Sequence, residues 1–330
     1  MAETLRVAVI GVGHYHALYP PYYLELLRKQ GAEVVAVADP TGAVAEIAAH
    51  RCDAKAYVDY RSMVQLTRPD LVLALGRHVD MPLAFRYLVD AGVPFIAEKP
   101  WGVDAETVRE LSSLAESRGA WVATPFSMRY SQWAAAARQM LKTREGGSTS
   151  HMVFRMIRPG VSRYVDYGSP WMLSKEEAGG GVLLNLGVHG FDLCRHLTGE
   201  EPEIVSSVVS NAAHGLEVED YASVLMRTPS GALFHNEVSY TYPRLHGDDD
   251  ERKLATAKAL LRATPGGLRI TDGERDEVVP PPDGYVAEWE AFIADCLGRL
   301  RRGEPPPNTP RDTARAVALV FEAYRMAEAS

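Results

Sequence analysis

Two short segments of this 330-residue chain combine side chains that could transfer protons and stabilise negative charge. In the first, Glu98-Lys99-Pro100 directly follows the apolar run 93–97. In the second, Asn185, His189, Asp192 and His196 recur at the spacing of one helical face. Imidazole titrates near neutral pH, and a lysine can neutralise developing negative charge. These residue types therefore suit acid–base chemistry.

Each segment also has a structural interpretation. Glu98 and Lys99 are residue types that often occupy a solvated turn. His189 could be a core histidine whose polar partner is Asp192. From the residues alone, both interpretations stay open.

Alternating strands and helices position the first segment. The predicted strands are 5–10, 33–38, 70–75, 93–97 and 121–124, with predicted helices at 81–91 and, capped by Asp104, up to Arg118. Such alternation predicts a doubly wound parallel sheet, in which ligands bind beyond the carboxyl ends of the strands. We therefore expect Lys99 to lie at the ligand-binding edge.

A glycine turn and an acid suggest what binds there. Gly11-Val12-Gly13 follows the first strand and Asp39 ends the second, as in dinucleotide-binding sites. Glycines let the backbone approach a pyrophosphate, whereas Asp39 would bind ribose hydroxyls and repel the 2′-phosphate of NADP. We expect NAD rather than NADP, with cofactor contacts from Gly11, Gly13, His14, Asp39, Glu98 and Lys99.

The turn departs from the usual fingerprint at His16, which stands in place of the third glycine. Pro20-Pro21 must also interrupt or delay the first helix. His14 and His16 could be read as a metal-binding pair, but no acid or cysteine lies nearby in sequence. No metal is predicted, and we expect both rings to line the cofactor cleft or to pack against the helix.

Composition excludes several other functions. The net charge is −8, from 43 acidic and 35 basic residues without a basic block, which argues against nucleic-acid or membrane partners. The three cysteines are scattered, so neither a disulfide framework nor a zinc site is indicated. No apolar run approaches the roughly 20 residues of a membrane span, and the early first strand leaves no room for a signal peptide. We expect a cytoplasmic protein.

The pattern changes beyond residue 126. The predicted strands lengthen and lie closer together, at 149–157, 203–210, 219–227 and 231–240. This pattern predicts a largely antiparallel sheet. We therefore predict a nucleotide-binding domain over 1–126 and a substrate-binding, oligomerising domain over 127–330.

These features together resemble the glucose–fructose oxidoreductase, inositol dehydrogenase and MocA family (Gfo/Idh/MocA). The resemblance covers nearly the whole chain and rests on the glycine turn, Asp39, the Glu98-Lys99-Pro100 segment, and the glycines 179–181 that lead to His189 and Asp192. It implies an α/β protein with an N-terminal Rossmann domain and a C-terminal α/β domain with a large, mostly antiparallel open sheet. That sheet implies a homodimer or homotetramer.

The resemblance also implies an activity, the transfer of a hydride between NAD and a secondary alcohol of a sugar, polyol or sugar derivative. By that resemblance Lys99 and His189 form the catalytic pair. The chemistry needs a base for the hydroxyl proton, which suits His189, and positive charge near the alkoxide, which suits Lys99. Asn185, where many relatives carry aspartate, can orient a hydroxyl but cannot relay its proton.

Aromatic and charged residues predict where the substrate lies, since sugar sites combine aromatic faces with charged groups. The expected substrate contacts are Phe126, Arg129, Tyr130, Arg155, Trp171, Asn185 and His189. Several of these side chains could instead face solvent or a partner subunit.

Two other functions stay open. One is a redox-neutral enzyme, such as a glycosidase or a sugar–sugar oxidoreductase, that holds its nicotinamide tightly. The other is a non-catalytic cofactor or ligand sensor, which the combination of His16 and Asn185 makes plausible.

Overall fold

The structure, a computed structural model, describes residues 4–244, 246–264, 266–281 and 286–329. The chain forms two compact units, and each is assembled from three stretches of sequence. The first unit comprises the chain up to Pro125, Tyr164–Gly179 and Trp289–Arg315. The second comprises Phe126–Arg163, Gly180–Glu288 and the chain from Ala316. The predicted division between residues 126 and 127 stays a prediction.

The first unit contains a six-stranded parallel sheet in the order β3-β2-β1-β4-β5-β6. Its strands are β1 (Arg6–Ile10), β2 (Glu33–Ala38), β3 (Lys55–Tyr57), β4 (Leu71–Ala74), β5 (Phe95–Ala97) and β6 (Val122–Ala123). Its connecting helices are α1 (Tyr23–Lys29), α2 (Gly42–Cys52), α3 (Tyr60–Thr67), α4 (Met81–Ala91) and α5 (Ala105–Arg118). The predicted doubly wound parallel sheet is confirmed.

Local signals explain several of these bounds. The Asp104 carboxylate accepts a hydrogen bond from Thr107 N–H at 2.7 Å and caps α5, which ends at Gly119 with φ +60°. As predicted, the prolines delay the first helix: a 3₁₀ turn covers Tyr15–Ala17, and α1 begins only at Tyr23. Strand β3 was not predicted, because it is a three-residue edge strand with little burial.

A late segment of the chain completes the first unit near β6. The Asn308 amide accepts a hydrogen bond from Thr124 N–H at 2.9 Å and donates one to Thr124 O at 2.7 Å. Trp121 Nε1–H donates to Glu304 O at 2.8 Å. The residues on either side of β6 are therefore hydrogen-bonded to residues that lie 183 and 184 positions later in the chain.

The middle of the chain contains four helices and three single turns of 3₁₀ or π geometry. The helices are α6 (Gln132–Thr143), α7 (Ser162–Asp166), α8 (Lys175–Ala178) and α9 (Val188–Thr198), with 3₁₀ turns at Ser127–Tyr130 and Pro170–Leu173 and a π-helical turn at Leu183–Gly187. The last helices are α10 (Ala287–Arg302) and α11 (Pro310–Glu328).

The second unit contains an eight-stranded sheet in the order β14-β13-β12-β11-β7-β10-β9-β8. Among the strand pairs of this sheet that the structure describes, only β7–β10 is parallel, so the predicted, mostly antiparallel sheet is confirmed. The strands are β7 (Thr149–Pro159), β8 (Glu203–Ser210), β9 (Tyr221–Arg227), β10 (Leu233–Tyr242), β11 (Asp249–Thr256), β12 (Ala259–Thr264), β13 (Gly267–Asp272) and β14 (Asp276–Val279). The last four were not predicted, since they are short or begin with charged residues that are uncommon in strands.

One face of this sheet packs against the π turn and α9. Asn236 Nδ2–H on β10 donates to Gly187 O at 2.8 Å, and Met152, Phe154 and Met156 on β7 are buried. The alternate residues Val153 and Arg155 on β7 are half-buried. The opposite face therefore keeps part of its surface exposed.

None of the helices among the described residues is long and apolar enough to cross a membrane. In the same part of the chain, no three histidine, cysteine or acidic side chains are arranged to hold a metal ion.

Candidate functional site

Gly11 and Gly13 lie in the turn after β1, and Asp39, which follows β2, contacts this turn. Gly11 has φ +72°, and a Cβ at this position would lie 2.6 Å from Leu75 O. A Cβ on Gly13 would lie 2.9 Å from Asp39 Oδ2, which accepts a hydrogen bond from Gly13 N–H at 2.8 Å. The other Asp39 oxygen accepts from Thr41 N–H at 2.9 Å. Position 11 therefore requires glycine, and a side chain at position 13 would displace the Asp39 carboxylate.

The turn fits the ribose end of a dinucleotide. Each Asp39 oxygen accepts one backbone N–H, and a carboxylate oxygen has a second lone pair for a hydroxyl group. The amides that follow are already used, since Tyr15 N–H donates to Ser169 Oγ at 3.1 Å and His16 N–H donates to His14 Nδ1 at 3.2 Å. The 3₁₀ turn therefore does not present these two amides to a phosphate.

Glu98 and Lys99 follow β5 and are only 2% and 3% exposed. Tyr23 OH donates to Glu98 Oε2 at 2.9 Å, and His16 Nδ1 lies 3.7 Å from Glu98 Oε1. Burial, followed by the neighbouring carboxylate, raises the pKa of Tyr23 well above its usual value. The Lys99–Pro100 peptide bond is cis. Because both charged side chains are buried, the solvated-turn interpretation is excluded.

Histidines and aromatic rings surround this pair within the first unit. His14 stacks on Tyr15 with ring centroids 4.9 Å apart and lies 5.7 Å from Trp171. Burial, and then the neighbouring His16, lowers the pKa of His14 well below its usual value. His78 packs on the same Trp171 ring at 4.9 Å. Sequence reasoning missed His78, although it follows the end of β4 just as Lys99 follows the end of β5.

The second unit buries the other candidate residues. Asn185 and His189 are 1% and 4% exposed, on the π turn and on α9. Asn185 Nδ2–H donates to Tyr240 OH at 2.9 Å. The His189 ring lies edge-on to Phe126, with centroids 6.2 Å apart. Of the four polar residues predicted to share one helical face, Asn185, His189 and Asp192 are therefore buried in the protein.

Arg129 and Asp192 form a buried ion pair in this unit. Arg129 Nε–H donates to Asp192 Oδ2 at 2.8 Å, and Nη2–H donates to Oδ1. The guanidinium carbon also lies 5.3 Å from the centre of the Phe126 ring. Arg129, predicted to contact substrate, thus has a bidentate protein partner, and its role toward substrate stays a prediction.

Within the glycines 179–181, Gly180 and Gly181 leave room for Tyr324 and Glu219. A Cβ on Gly181 would overlap the backbone of Glu219, and one on Gly180 would overlap the Tyr324 hydroxyl. The Glu219 carboxylate accepts hydrogen bonds from Gly181 N–H and Leu183 N–H at 2.9 Å each, and from Tyr324 OH at 2.7 Å. Burial raises the pKa of Glu219. These contacts hold the start of the segment that carries Asn185 and His189.

The predicted site residues thus lie in two groups, one in each unit. The first unit brings together Gly11, Gly13, His14, Asp39, Glu98, Lys99 and Trp171; the second brings together Phe126, Arg129, Asn185, His189 and Asp192. Tyr130 ends the 3₁₀ turn that carries Arg129 and is half-buried. Arg155 lies on β7, where it pairs with Asp249 at 2.8 Å and with Glu251 at 3.5 Å on β11.

Comparison with known proteins gives concordant matches to both halves of the chain. Residues 5–126 match the oxidoreductase family with an NAD-binding Rossmann fold, and residues 134–252 match the GFO/IDH/MocA C-terminal domain. Inositol 2-dehydrogenase from Rhizobium meliloti (strain 1021) is 25% identical over 98% of this chain and 96% of its own length. Trans-1,2-dihydrobenzene-1,2-diol dehydrogenase from Mus musculus is 26% identical over 83% of this chain and 81% of its own.

The crystal structure of GenD2 from gentamicin A biosynthesis, in complex with NAD, has the same fold. It superposes with a TM-score of 0.84 over 99% of this chain and 95% of its own, at 22% identity.

Proposed function

Because the chain belongs to the GFO/IDH/MocA family of NAD-binding oxidoreductases, we propose that it transfers a hydride between NAD and a secondary alcohol of a sugar, polyol or sugar derivative. The observation that carries this proposal is the burial of Lys99 beyond β5, in the same unit as the glycine turn and Asp39. A buried ammonium at the carboxyl end of a parallel sheet is placed where ligands of such sheets bind.

The chemical roles follow from the residue types. Bound NAD supplies the acceptor for the hydride. Lys99 stabilises the negative charge that develops on the substrate oxygen. His189 accepts the hydroxyl proton, and Asn185, which cannot titrate, orients the hydroxyl group. We assign NAD in preference to NADP because the Asp39 carboxylate would repel a 2′-phosphate.

The relatives support the choice of a cyclic polyol as substrate. The names of two of them specify inositol and trans-1,2-dihydrobenzene-1,2-diol, and both of these are carbocycles with adjacent hydroxyl groups. We therefore propose a cyclic substrate with neighbouring hydroxyls. The cysteines, all three buried and without a disulfide, suit a reducing compartment, and we propose a cytoplasmic location.

The test begins with calorimetric titration of the cofactor-stripped protein with NAD and, separately, with NADP. Tighter binding of NAD is expected. A panel of cyclitols, sugars and cyclic diols is then assayed for nicotinamide reduction. Folded protein that binds neither nucleotide would overturn the proposal.

Lys99→Met separates catalysis from binding. We expect turnover to fall by roughly a thousandfold, because charge stabilisation in a buried site is lost, while the variant still binds NAD through the glycine turn and Asp39. Lys55→Met, on the exposed edge strand β3, is the control and should keep full turnover. Unchanged turnover in Lys99→Met would contradict its assigned role. A protein that purifies with bound NAD and converts sugars without net nicotinamide reduction would indicate the redox-neutral alternative.

A further inference from the structure

His78 is held firmly in the loop after β4. Arg77 pairs with Asp80, Nε to Oδ2, at 2.6 Å and also with Glu177. Val79 N–H donates to Glu177 O at 3.1 Å. The His78 side chain between these contacts is 2% exposed. Its position is therefore set by contacts on both sides within the first unit.

The hydrogen bonding of the ring defines its tautomer. His78 Nδ1 lies 2.7 Å from Ala178 O. A carbonyl oxygen can only accept, so Nδ1 must carry the proton. Burial lowers the pKa of His78 from 6.5 to about 3, and the charge of Lys99 also lowers it. At neutral pH the ring is uncharged, and Nε2 is a hydrogen-bond acceptor.

That acceptor is buried and has no hydrogen-bond partner within residues 4–244, 246–264, 266–281 and 286–329. A buried polar atom without a partner costs about 1–3 kcal/mol, so native proteins rarely leave one unpaired. A donor from outside the chain is the partner that this arrangement calls for.

The surroundings of His78 indicate where that donor lies. His78 and His14 both pack on Trp171, and they follow the carboxyl ends of the hydrogen-bonded strands β4 and β1. The carbonyl oxygen of Leu75, three residues before His78, lies 2.6 Å from the position that a Cβ on Gly11 would take. Ligands of open α/β sheets bind beyond these strand ends.

We propose that His78 Nε2 is a ligand-binding acceptor that receives a hydrogen bond from a neutral N–H or O–H group. Two groups have this chemistry under the proposed function, on which this inference rests: the carboxamide of the nicotinamide and a hydroxyl of the polyol. The role requires the neutral Nδ1–H tautomer that Ala178 maintains.

Two matched substitutions separate this role from a structural one. In His78→Asn, the amide nitrogen can replace Nδ1 and keep the contact with Ala178 O, but the acceptor at Nε2 is lost. In His78→Gln, the side-chain oxygen can reach the position of Nε2 and keep the acceptor, whereas the contact with Ala178 is lost. Thermal unfolding of the purified full-length chain establishes that each variant is folded.

Calorimetry with NAD and steady-state kinetics with the polyol are the measurements. We expect His78→Asn to raise the Kd for NAD or the KM for polyol roughly tenfold or more, since one hydrogen bond is lost, and His78→Gln to stay within about threefold. The reverse order would show that the contact with Ala178 matters instead, and it would overturn the inference. Unchanged constants in both folded variants would overturn it too, because water would then suffice at Nε2.

The two sources of the donor are distinguished by ligand. A higher Kd for NAD, which disappears when nicotinic acid adenine dinucleotide replaces NAD, indicates the carboxamide. A higher KM for polyol at an unchanged NAD Kd indicates the substrate hydroxyl. Failure of the unaltered protein to bind NAD overturns the proposed function and this inference together, whereas normal binding with unaffected variants overturns the inference alone.

Discussion

The ion pair between Arg129 and Asp192 has little access to water, with side chains 10% and 2% exposed. Removal of either partner from a buried ion pair destabilises the folded protein, because the other partner is left as an uncompensated buried charge. The pair lies beside Phe126, whose ring also contacts His189. Its state therefore affects the surroundings of a proposed catalytic residue.

We expect Asp192→Asn to lower the free energy of unfolding by about 3 kcal/mol, as measured by urea denaturation. The matched control is Asp276→Asn, since Asp276 pairs with Arg269 at the surface with about half of each side chain exposed. Water and salt screen an exposed pair, so the control should change little. Equal changes in the free energy of unfolding would show that burial does not make the pair between Arg129 and Asp192 more important for stability than an exposed pair.

His78 also makes stability depend on pH. Its pKa is about 3 in the folded protein and near 6.5 when unfolded, so the unfolded chain binds the proton more readily. Stability should therefore fall as the pH falls from 6.5 toward 3. For His78 alone, the free energy of unfolding should be about 2 kcal/mol lower at pH 5 than at pH 7. Burial of His14 acts in the same direction.

The check is urea denaturation at both pH values with the unaltered protein and His78→Asn. The variant lacks the titrating group, so its loss of stability between pH 7 and pH 5 should be smaller by about that amount. Parallel losses in both proteins would show that His78 is not the group responsible.

At the scale of elements, the segment from Gly181 to Thr198 shows how the helix that carries the proposed catalytic residue His189 begins. Glu219 and Tyr324 satisfy the amides of Gly181, Leu183 and Leu184, which a helix start leaves without partners inside the helix. The glycines allow these groups to approach closely. Gly180 and Gly181 are thus explained by packing inside the protein.

Gly181→Ala should destabilise the protein by about 2 kcal/mol, because the new methyl group would overlap the Glu219 backbone, which cannot rotate away. Gly273→Ala is the control: no atom lies within 4 Å of its added Cβ. Urea denaturation of both variants tests this difference. A similar, small change in the two would mean that the Glu219 segment moves aside easily.

The sequence predicted elements well where local signals are strong. The bounds of β2 and α4 agree with the prediction, as do the Asp104 cap and the Gly119 stop of α5. The types of Asp39, Lys99 and His189 also marked them as candidates. The rest depends on contacts between distant residues: Arg129 with Asp192, Glu219 with Gly181, and His78 with Ala178. No local pattern encodes such pairs, and short charged strands such as β11 carry little signal.

At the scale of the whole molecule, we propose that the half-exposed face of the eight-stranded sheet joins two copies of the chain into a dimer, which can pair further into a tetramer. Cross-strand pairs cover this face, including Tyr221 OH to Glu237 at 3.1 Å and Ser223 to His235 at 2.9 Å. Val153 and Leu225 lie half-buried among them. A face with both apolar groups and ordered polar pairs resembles a protein–protein interface.

We expect Val153→Glu combined with Leu225→Glu to yield a monomer, since each substitution would place a charge in the proposed interface. Leu66→Glu is the control, because Leu66 is 73% exposed on α3 of the first unit. Light scattering coupled to size-exclusion chromatography measures the mass. A monomeric unaltered protein would refute the dimer.

The hydrogen bonds between Asn308 and Thr124 also affect the order in which the first unit is completed during synthesis. A ribosome makes β6 long before it makes Asn308, so the sheet edge at β6 emerges without its closing partners. The strands of the second unit emerge during this interval. The first unit can therefore complete this edge only after Asn308 has emerged, and until then the edge at β6 is open to chaperones and proteases.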